Sequence, residues 1–429
     1  MNAQRRQTPF DAAIAVFIGH PSASLLLLVL LAYGPTLAYG LTGFDDWHLL
    51  ANARGAANPG LLFMKNTIVF PGGLFYYRPM MLLSFWATEW AISHQLWCHH
   101  AINIIIHYGA CLGLFWLLTA LGISAGRSLA AAALVAVHPA LTLAVASLPG
   151  RNDSLLALFL FPAFVAAWRF LEGRRWPWLL LALAAWLAAL LTKETALLLP
   201  MALALALLLL ARRRITARRA ALLAACYGLI LTGYWLLRQA AAAAQGEALA
   251  AQRATLPSTV CQLLTYCGKA FFPWDLSPFP MVQDTRIWPV MAGLAVGVFL
   301  LALALRDRDR LALYGTAWFM LFLLPAVAFT NGFGACYEHR LYIPMAGLCM
   351  ALAGGNTHQP VFARMPALPA LAVILLVAAG MARLAPYSRA YRSDRSFWEY
   401  SAGQHPYAAE VQYNLGMVYL GRGDDRRAA

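Results

Sequence analysis

Charge is what this sequence has least of. Only 12% of its 429 residues are Asp, Glu, Lys or Arg, and just 18 are acidic, where a soluble domain carries about 25% charged residues. A chain so poor in charge cannot cover a water-soluble surface. With 61% hydrophobic residues and a mean hydropathy of +0.62, it reads as an all-α, polytopic integral membrane protein. The cysteines Cys98, Cys111, Cys226, Cys261, Cys267, Cys336 and Cys349 include no C-x-x-C pair and lie mostly in apolar stretches. They offer no disulfide or zinc framework and read as small apolar residues. No small-residue cleavage site follows the first apolar run, so 22–39 is expected to be a retained helix and not a signal peptide. A formal charge of +14 would suggest nucleic acid in a soluble chain. Here many of the arginines fall in short loops beside apolar runs, the positive-inside pattern, and no nucleic-acid partner is expected.

What is present is a series of apolar runs. Spans are expected at 22–39, 98–121, 127–148, 153–171, 176–192, 194–211, 218–238, 287–305, 311–330, 338–356 and 366–386, about eleven in all. Two stretches are expected to stay outside the bilayer, a first loop at about 41–97 and a second at about 240–286. A loop as long as the first is usually functional, and it carries the turn formers Asn58-Pro59-Gly60 and Pro71-Gly72-Gly73. With eleven spans the N-terminus, Arg127, Arg169/Arg174/Arg175, Arg212-Arg213-Arg214 with Arg218-Arg219, Arg306 to Arg310, and Arg364 share one face, the cytoplasmic one by the Lys/Arg bias. Asp45, Asp46, Arg151, Asp153, Lys193, Glu194, Glu338 and Arg340 then gather on the other. If 256–272 crossed, Glu338 and Arg340 would leave that group.

Two domains follow, a transmembrane domain over 1–386 and a soluble segment over 387–429. In the latter, Leu415-Gly416, Tyr419, Gly423 and Ala428 stand at the spacing of the first helix of a tetratricopeptide repeat, with Pro406 where a preceding repeat would end. Fewer than about three such repeats cannot bury a continuous core, so the segment either continues in a longer array or leans on the membrane domain.

The most informative stretch is LTGFDDWHLL at Leu41 to Leu50, two adjacent carboxylates directly after the first apolar run. Charged groups at the edge of hydrocarbon are costly and tend to mark function; the plain alternative is a solvated loop start. The stretch resembles the Phe-Asp-Glu-x-His signature that follows the first span of protein O-mannosyltransferases of the GT-C class. The order of further motifs resembles the transmembrane and tetratricopeptide-repeat-containing O-mannosyltransferases more closely. Those motifs are Tyr77-Arg78-Pro79, then His100, Asn103 and His107, then His138-Pro139 leading to Gly150-Arg151-Asn152-Asp153, then Lys193-Glu194, and Glu338-His339-Arg340-Leu341-Tyr342-Ile343-Pro344. The chain departs from that pattern at Leu143, where the family usually has an acidic residue.

The resemblance implies a membrane glycosyltransferase. It would move a sugar, mannose in that family, from a polyprenyl-phosphate carrier to an acceptor hydroxyl of a protein or glycan outside the cytoplasm, with inversion. A single displacement needs one base, and a phosphate leaving group needs positive charge in place of a proton. The resemblance makes Asp45 the base and Asp46 a holder of acceptor or base, although Asp46 can equally be a solvated neighbour. It gives the donor phosphate to Arg151, Lys193, Arg340 and His48, with Arg78, Asp153, Glu194 and Glu338 in support. His48 can instead be a polar residue satisfied within its loop, and Glu338 with Arg340 an interfacial anchor. His100, Asn103 and His107 lie on one helix stripe and are expected to hydrogen-bond between helices; no cofactor is called for, and a divalent metal remains open. A non-catalytic lipid-linked-sugar transporter or scaffold, binding partners through its repeats, is the alternative. The Ala/Leu/Arg-heavy usage suggests a bacterial inner membrane with the active face in the periplasm, equivalent to the ER lumen in a eukaryote.

Overall fold

A computed structural model describes residues 15–64, 68–70, 74–211, 215–243, 256–281, 286–328, 336–354 and 367–428. The expected basic run at 212–214, Arg364, the N-terminal residues and the turn at 71–73 lie outside the described residues. The chain is all-α as its composition requires, with one exception. The first loop carries a short antiparallel hairpin, Ile68–Phe70 paired with Leu74–Tyr76 in the register Ile68↔Tyr76.

Among the described residues six helices are long and apolar enough to cross a bilayer: Pro21–Ala38, Leu96–Ala120, Arg151–Leu171, Ala217–Ala243, Arg310–Ala328 and Pro369–Tyr391. A seventh candidate is broken. Ala125–Ala136 and Pro139–Ala146 meet at 57°, because Pro139 lacks an N–H and cannot continue the helix before it. Four shorter apolar helices, Pro177–Leu190, Glu194–Leu210, Val290–Arg306 and Pro344–Ala353, occupy the remaining expected spans. By length alone they do not establish eleven crossings, since a full crossing takes about 20 residues.

The core is a set of helices drawn together by small residues. An added Cβ on Gly315 would lie 2.4 Å from Gly347 O, and one on Gly347 would lie 2.4 Å from Gly315 O. The helices Arg310–Ala328 and Pro344–Gly354 therefore touch backbone to backbone, the contact that small residues permit between membrane helices. A second, smaller core lies under the first loop. Leu49, Leu50 and Ala53 of the helix Asp46–Gly55 pack on Met81, Leu82 and Phe85 of Pro79–Ala87, so this loop is a folded cap and not a tether.

The helix Arg151–Leu171 defines two ends, separated by about 30 Å at 1.5 Å per residue. Asp153 marks one end. At the other, Arg219 Nη1 donates to the carbonyls of Phe170 (2.7 Å) and Arg174 (2.8 Å). The C-terminal segment is helical: Asp394–Gln404 and Ala409–Leu420 pack as a pair after the last apolar helix.

Candidate active site

The loop after the first apolar helix is built around its two aspartates, which have opposite environments. Asp46 is 1% exposed, and its Oδ2 accepts hydrogen bonds from Thr42 N (2.8 Å) and Thr42 Oγ1 (2.5 Å). Four residues of backbone are thereby folded back on one carboxylate. Asp45 precedes the first turn of the helix Asp46–Gly55 and caps it with its backbone carbonyl, which accepts from Leu49 N at 3.2 Å. Among the described residues its half-buried carboxylate makes no hydrogen bond. Burial and then the adjacent Asp46 push its pKa up to about 6, with His48 and Arg78 partly offsetting them. Burial also raises Asp46, against the Thr42 hydrogen bonds. Trp47 and His48 face outward and are exposed.

Beside this loop, four separate segments bring their charged residues together. Arg78, just before the helix Pro79–Ala87, donates Nη2 to Glu194 Oε2 at 3.1 Å and lies 4.1 Å from the centre of the Tyr76 ring. Lys193 donates to both carboxylate oxygens of Asp153, at 2.7 and 2.9 Å. His339 Nε2 stands 3.7 Å from the same carboxylate. The 3-10 turn Glu338–Leu341 supplies His339 and Arg340, and Arg340 Nη1 donates to the carbonyl of Ala326 at 2.9 Å. No carboxylate among the described residues pairs with Arg340. Burial holds Lys193 below the usual lysine range, with Asp153 opposing and Arg78 reinforcing. Burial also drives His339 down to about 3, so its imidazole is neutral. Glu338 turns the other way, accepting from Lys269 Nζ at 2.6 Å inside the protein.

Arg151 is not brought into this group of contacts. It is fully buried, and its guanidinium makes three hydrogen bonds: Nε donates to Asn103 Oδ1 (2.6 Å), Nη1 to Ser84 Oγ (3.2 Å), and Nη2 to the carbonyl of His99 (2.9 Å). Its carbon lies 3.9 Å from the centre of the Phe85 ring. Asn103 also donates to the carbonyls of Val145 and Ser147, and His107 bonds to Tyr342 and the Ala136 carbonyl. Asn103 and His107 thus tie neighbouring helices together as expected, whereas His100, buried on the same stripe, has no hydrogen-bond partner for either ring nitrogen among the described residues. Among the described residues no group of three or more His, Cys, Asp or Glu is arranged to hold a metal.

Sequence reasoning passed over two residues of this neighbourhood. Lys269 is a lone cation in the stretch 256–272 and finds its partner 69 positions away in Glu338; its isolation among apolar neighbours was the available signal. Tyr76 sits one residue before the Tyr77-Arg78-Pro79 motif, in the hairpin that the periodicity did not disclose.

These elements define a polytopic, predominantly helical integral membrane protein with a folded acidic loop set over a cluster of ion pairs at one end of its helices. Residues 78–236 match the family model for dolichyl-phosphate-mannose-protein mannosyltransferase. The match covers 159 of the 429 residues, and over that stretch the chain is similar to this family. It is 37% identical over 186 residues to the protein O-mannosyl-transferase Tmtc1 of Drosophila melanogaster, covering 42% of this chain and 21% of the relative. It is 25% identical over 166 residues to the protein O-mannosyl-transferase TMTC4 of Homo sapiens, covering 37% and 22%. To TMTC1 of Mus musculus it is 34% identical over 130 residues, covering 28% and 14%. The chain thus spans about a fifth of the length of the first two curated relatives.

Proposed function

We propose that this chain is an inverting membrane glycosyltransferase of the GT-C class that moves mannose from a polyprenyl-phosphate carrier to a serine or threonine hydroxyl of a protein, at the extracytoplasmic face. The observation that carries this reading is the pairing pattern of the charges. Arg78 has Glu194, Lys193 has Asp153 and Lys269 has Glu338. Among the described residues Asp45 is left as a carboxylate without a hydrogen bond, and Arg340, like the more deeply placed Arg151, as a cation without an acid.

In this reading the acceptor hydroxyl gives its proton to a carboxylate oxygen of Asp45 while its oxygen attacks the anomeric carbon. The bond from that carbon to the phosphate oxygen breaks, and its electron pair leaves on the phosphate. A base with a pKa near 6 is ionised at neutral pH yet basic enough to accept the proton. Arg340, with a planar fork suited to phosphate, balances the leaving charge, and Lys193 adds positive potential beside it. Asp46 holds the loop that presents Asp45, and exposed His48 is a further donor contact. Arg151, bonded to Asn103, Ser84 and the His99 carbonyl, acts as the girder between the helices that bear Asn103 and Asp153. Residues 387–429 open a repeat region that engages the protein acceptor, and the active face is the periplasmic one.

The test is transfer by the purified protein in lipid nanodiscs, using a panel of polyprenyl-phosphate sugars and a Ser/Thr-containing protein acceptor. Mannose transfer with inverted anomeric configuration supports the reading. Donor binding with no transfer from any donor contradicts it and points to a carrier.

A further inference from the structure

The loop that carries Asp45 is fastened to the far end of the chain. Tyr39 Oη and Ser388 Oγ are 3.2 Å apart, and Gly40 N donates to the carbonyl of Arg392 at 2.9 Å. Gly43 has φ +71°, and an added Cβ there would lie 3.1 Å from Asp394 Cβ, so the backbone needs glycine for both its left-handed turn and its room. Phe44, the residue before Asp45, stacks on Phe397 (centroids 6.0 Å apart, planes at 19°) and meets Trp398 edge-on at 6.3 Å. Phe279 at 5.8 Å and Tyr337 at 6.3 Å complete the cage. Tyr337 directly precedes the turn that bears His339 and Arg340. One aromatic cluster therefore joins the base loop to the cation turn, and the helix Asp394–Gln404 closes it with two side chains that are 1% and 3% exposed.

We propose that Phe397 and Trp398 are positioning residues for Asp45, fixing its distance from Arg340 and keeping water from its carboxylate through the ring of Phe44. The proposal rests on the reading of Asp45 as the base. Among the described residues the Asp45 carboxylate has no hydrogen bond to hold it, so its place is set by its neighbours, Asp46 tied to Thr42 on one side and Phe44 in the cage on the other. Backbone contacts alone would leave the ring free to turn. Aromatic pairs of this geometry add about 0.5–1.5 kcal/mol each beyond burial, enough to select one loop position. Burial is also the first cause of the raised pKa of Asp45. The other charged or titratable groups facing it are Asp46, His48, Arg78 and Tyr337, and none lies on the C-terminal helix. A change made at Trp398 reaches the carboxylate only through packing and water.

The experiment is a pH–rate profile of transfer for Trp398→Ala, Trp398→Phe and Phe44→Leu in the full chain. Misplacing a reacting group by about 1 Å costs up to about 100-fold, so Trp398→Ala is expected to lower kcat by about 10- to 100-fold with KM for the lipid donor little changed. Its acid limb should move down from near pH 6 towards about 4, the range of a free aspartate. Trp398→Phe keeps a ring in the cage and should restore most of the rate and the original limb. Phe44→Leu opens the cage from the other side and should reproduce the Trp398→Ala profile if the latter variant does not fold. An acid limb that stays near 6 in either folded variant overturns the proposal, whatever happens to the rate. Full activity in Asp45→Asn removes the base itself, a different failure that this profile separates.

Discussion

Lys193 Nζ reaches both carboxylate oxygens of Asp153, at 2.7 and 2.9 Å, from a loop 40 residues further along the chain. The pair is almost closed to solvent, with side chains 14% and 5% exposed. Removing one partner of such a pair leaves a buried charge uncompensated and costs roughly 3 kcal/mol or more, while removing both can be neutral. Lys193→Met should therefore lower the unfolding temperature in detergent, and Lys193→Met/Asp153→Leu should recover most of it without recovering transfer. Stability that is equal in the single and double variants would show that the pair does not hold these helices together.

Arg340 differs from its neighbours in having a carbonyl partner and no acid. Loss of a preorganised donor to a developing anion typically costs 10²–10³ in kcat. Arg340→Ala should fall in that range while the protein stays folded, and Arg340→Lys should recover part of the rate, since an ammonium supplies charge without the fork. The readout is kcat with the lipid-phosphate donor; a change in KM for the protein acceptor alone would place Arg340 elsewhere.

The raised pKa of Asp45 also has a stability consequence. A carboxyl at about 6 in the folded protein and near 3.9 when unfolded binds more protons in the folded state between those values. Stability contributed by this group is therefore present below about pH 4 and lost as pH rises to about 6. Above that, the ionised carboxylate weakens the fold by on the order of 3 kcal/mol. Asp45→Asn should accordingly melt higher than the parent at pH 7.5, with the difference vanishing near pH 4. A lower melting temperature in the variant would contradict the buried, unpartnered environment.

Thr42 is the support of the buried Asp46. Thr42→Val removes the hydroxyl donor at 2.5 Å and leaves the backbone N–H at 2.8 Å. Leaving part of a buried carboxylate unsatisfied costs about 1–3 kcal/mol. The variant should lose that much stability and lower kcat more than it alters KM, because Asp46 directly follows the proposed base, Asp45. Unchanged kcat in a destabilised protein would detach Asp46 from the presentation of Asp45.

The helices were legible because a bilayer leaves a chain few choices, and the expected apolar runs coincide with apolar helices. The bend at Pro139 was legible for the same local reason. The hairpin at 68–76 was not, since strands of three residues are too short to show a period. Within the candidate site, Arg78, Asp153, Lys193, Glu194 and Arg340 were named from motif order, and the structure brings them close together. Their pairing could not be read from the sequence, because it joins residues up to 116 positions apart. Arg151 shows the limit most clearly. An arginine at the start of an apolar helix looks the same in sequence whether it faces a ligand or, as here, Asn103, Ser84 and a carbonyl. The docking of the C-terminal helix on Phe44 likewise depends on contacts between the two ends of the chain.

The central claim is tested most directly by measuring transfer from a polyprenyl-phosphate sugar to a protein acceptor by Asp45→Asn and its parent, side by side at pH 7.5. The account predicts that the variant folds, inserts and binds the lipid donor as the parent does, yet transfers sugar at least about 10²-fold more slowly, the low end of what a positioned base supplies. Transfer at the parental rate by the folded variant would contradict it.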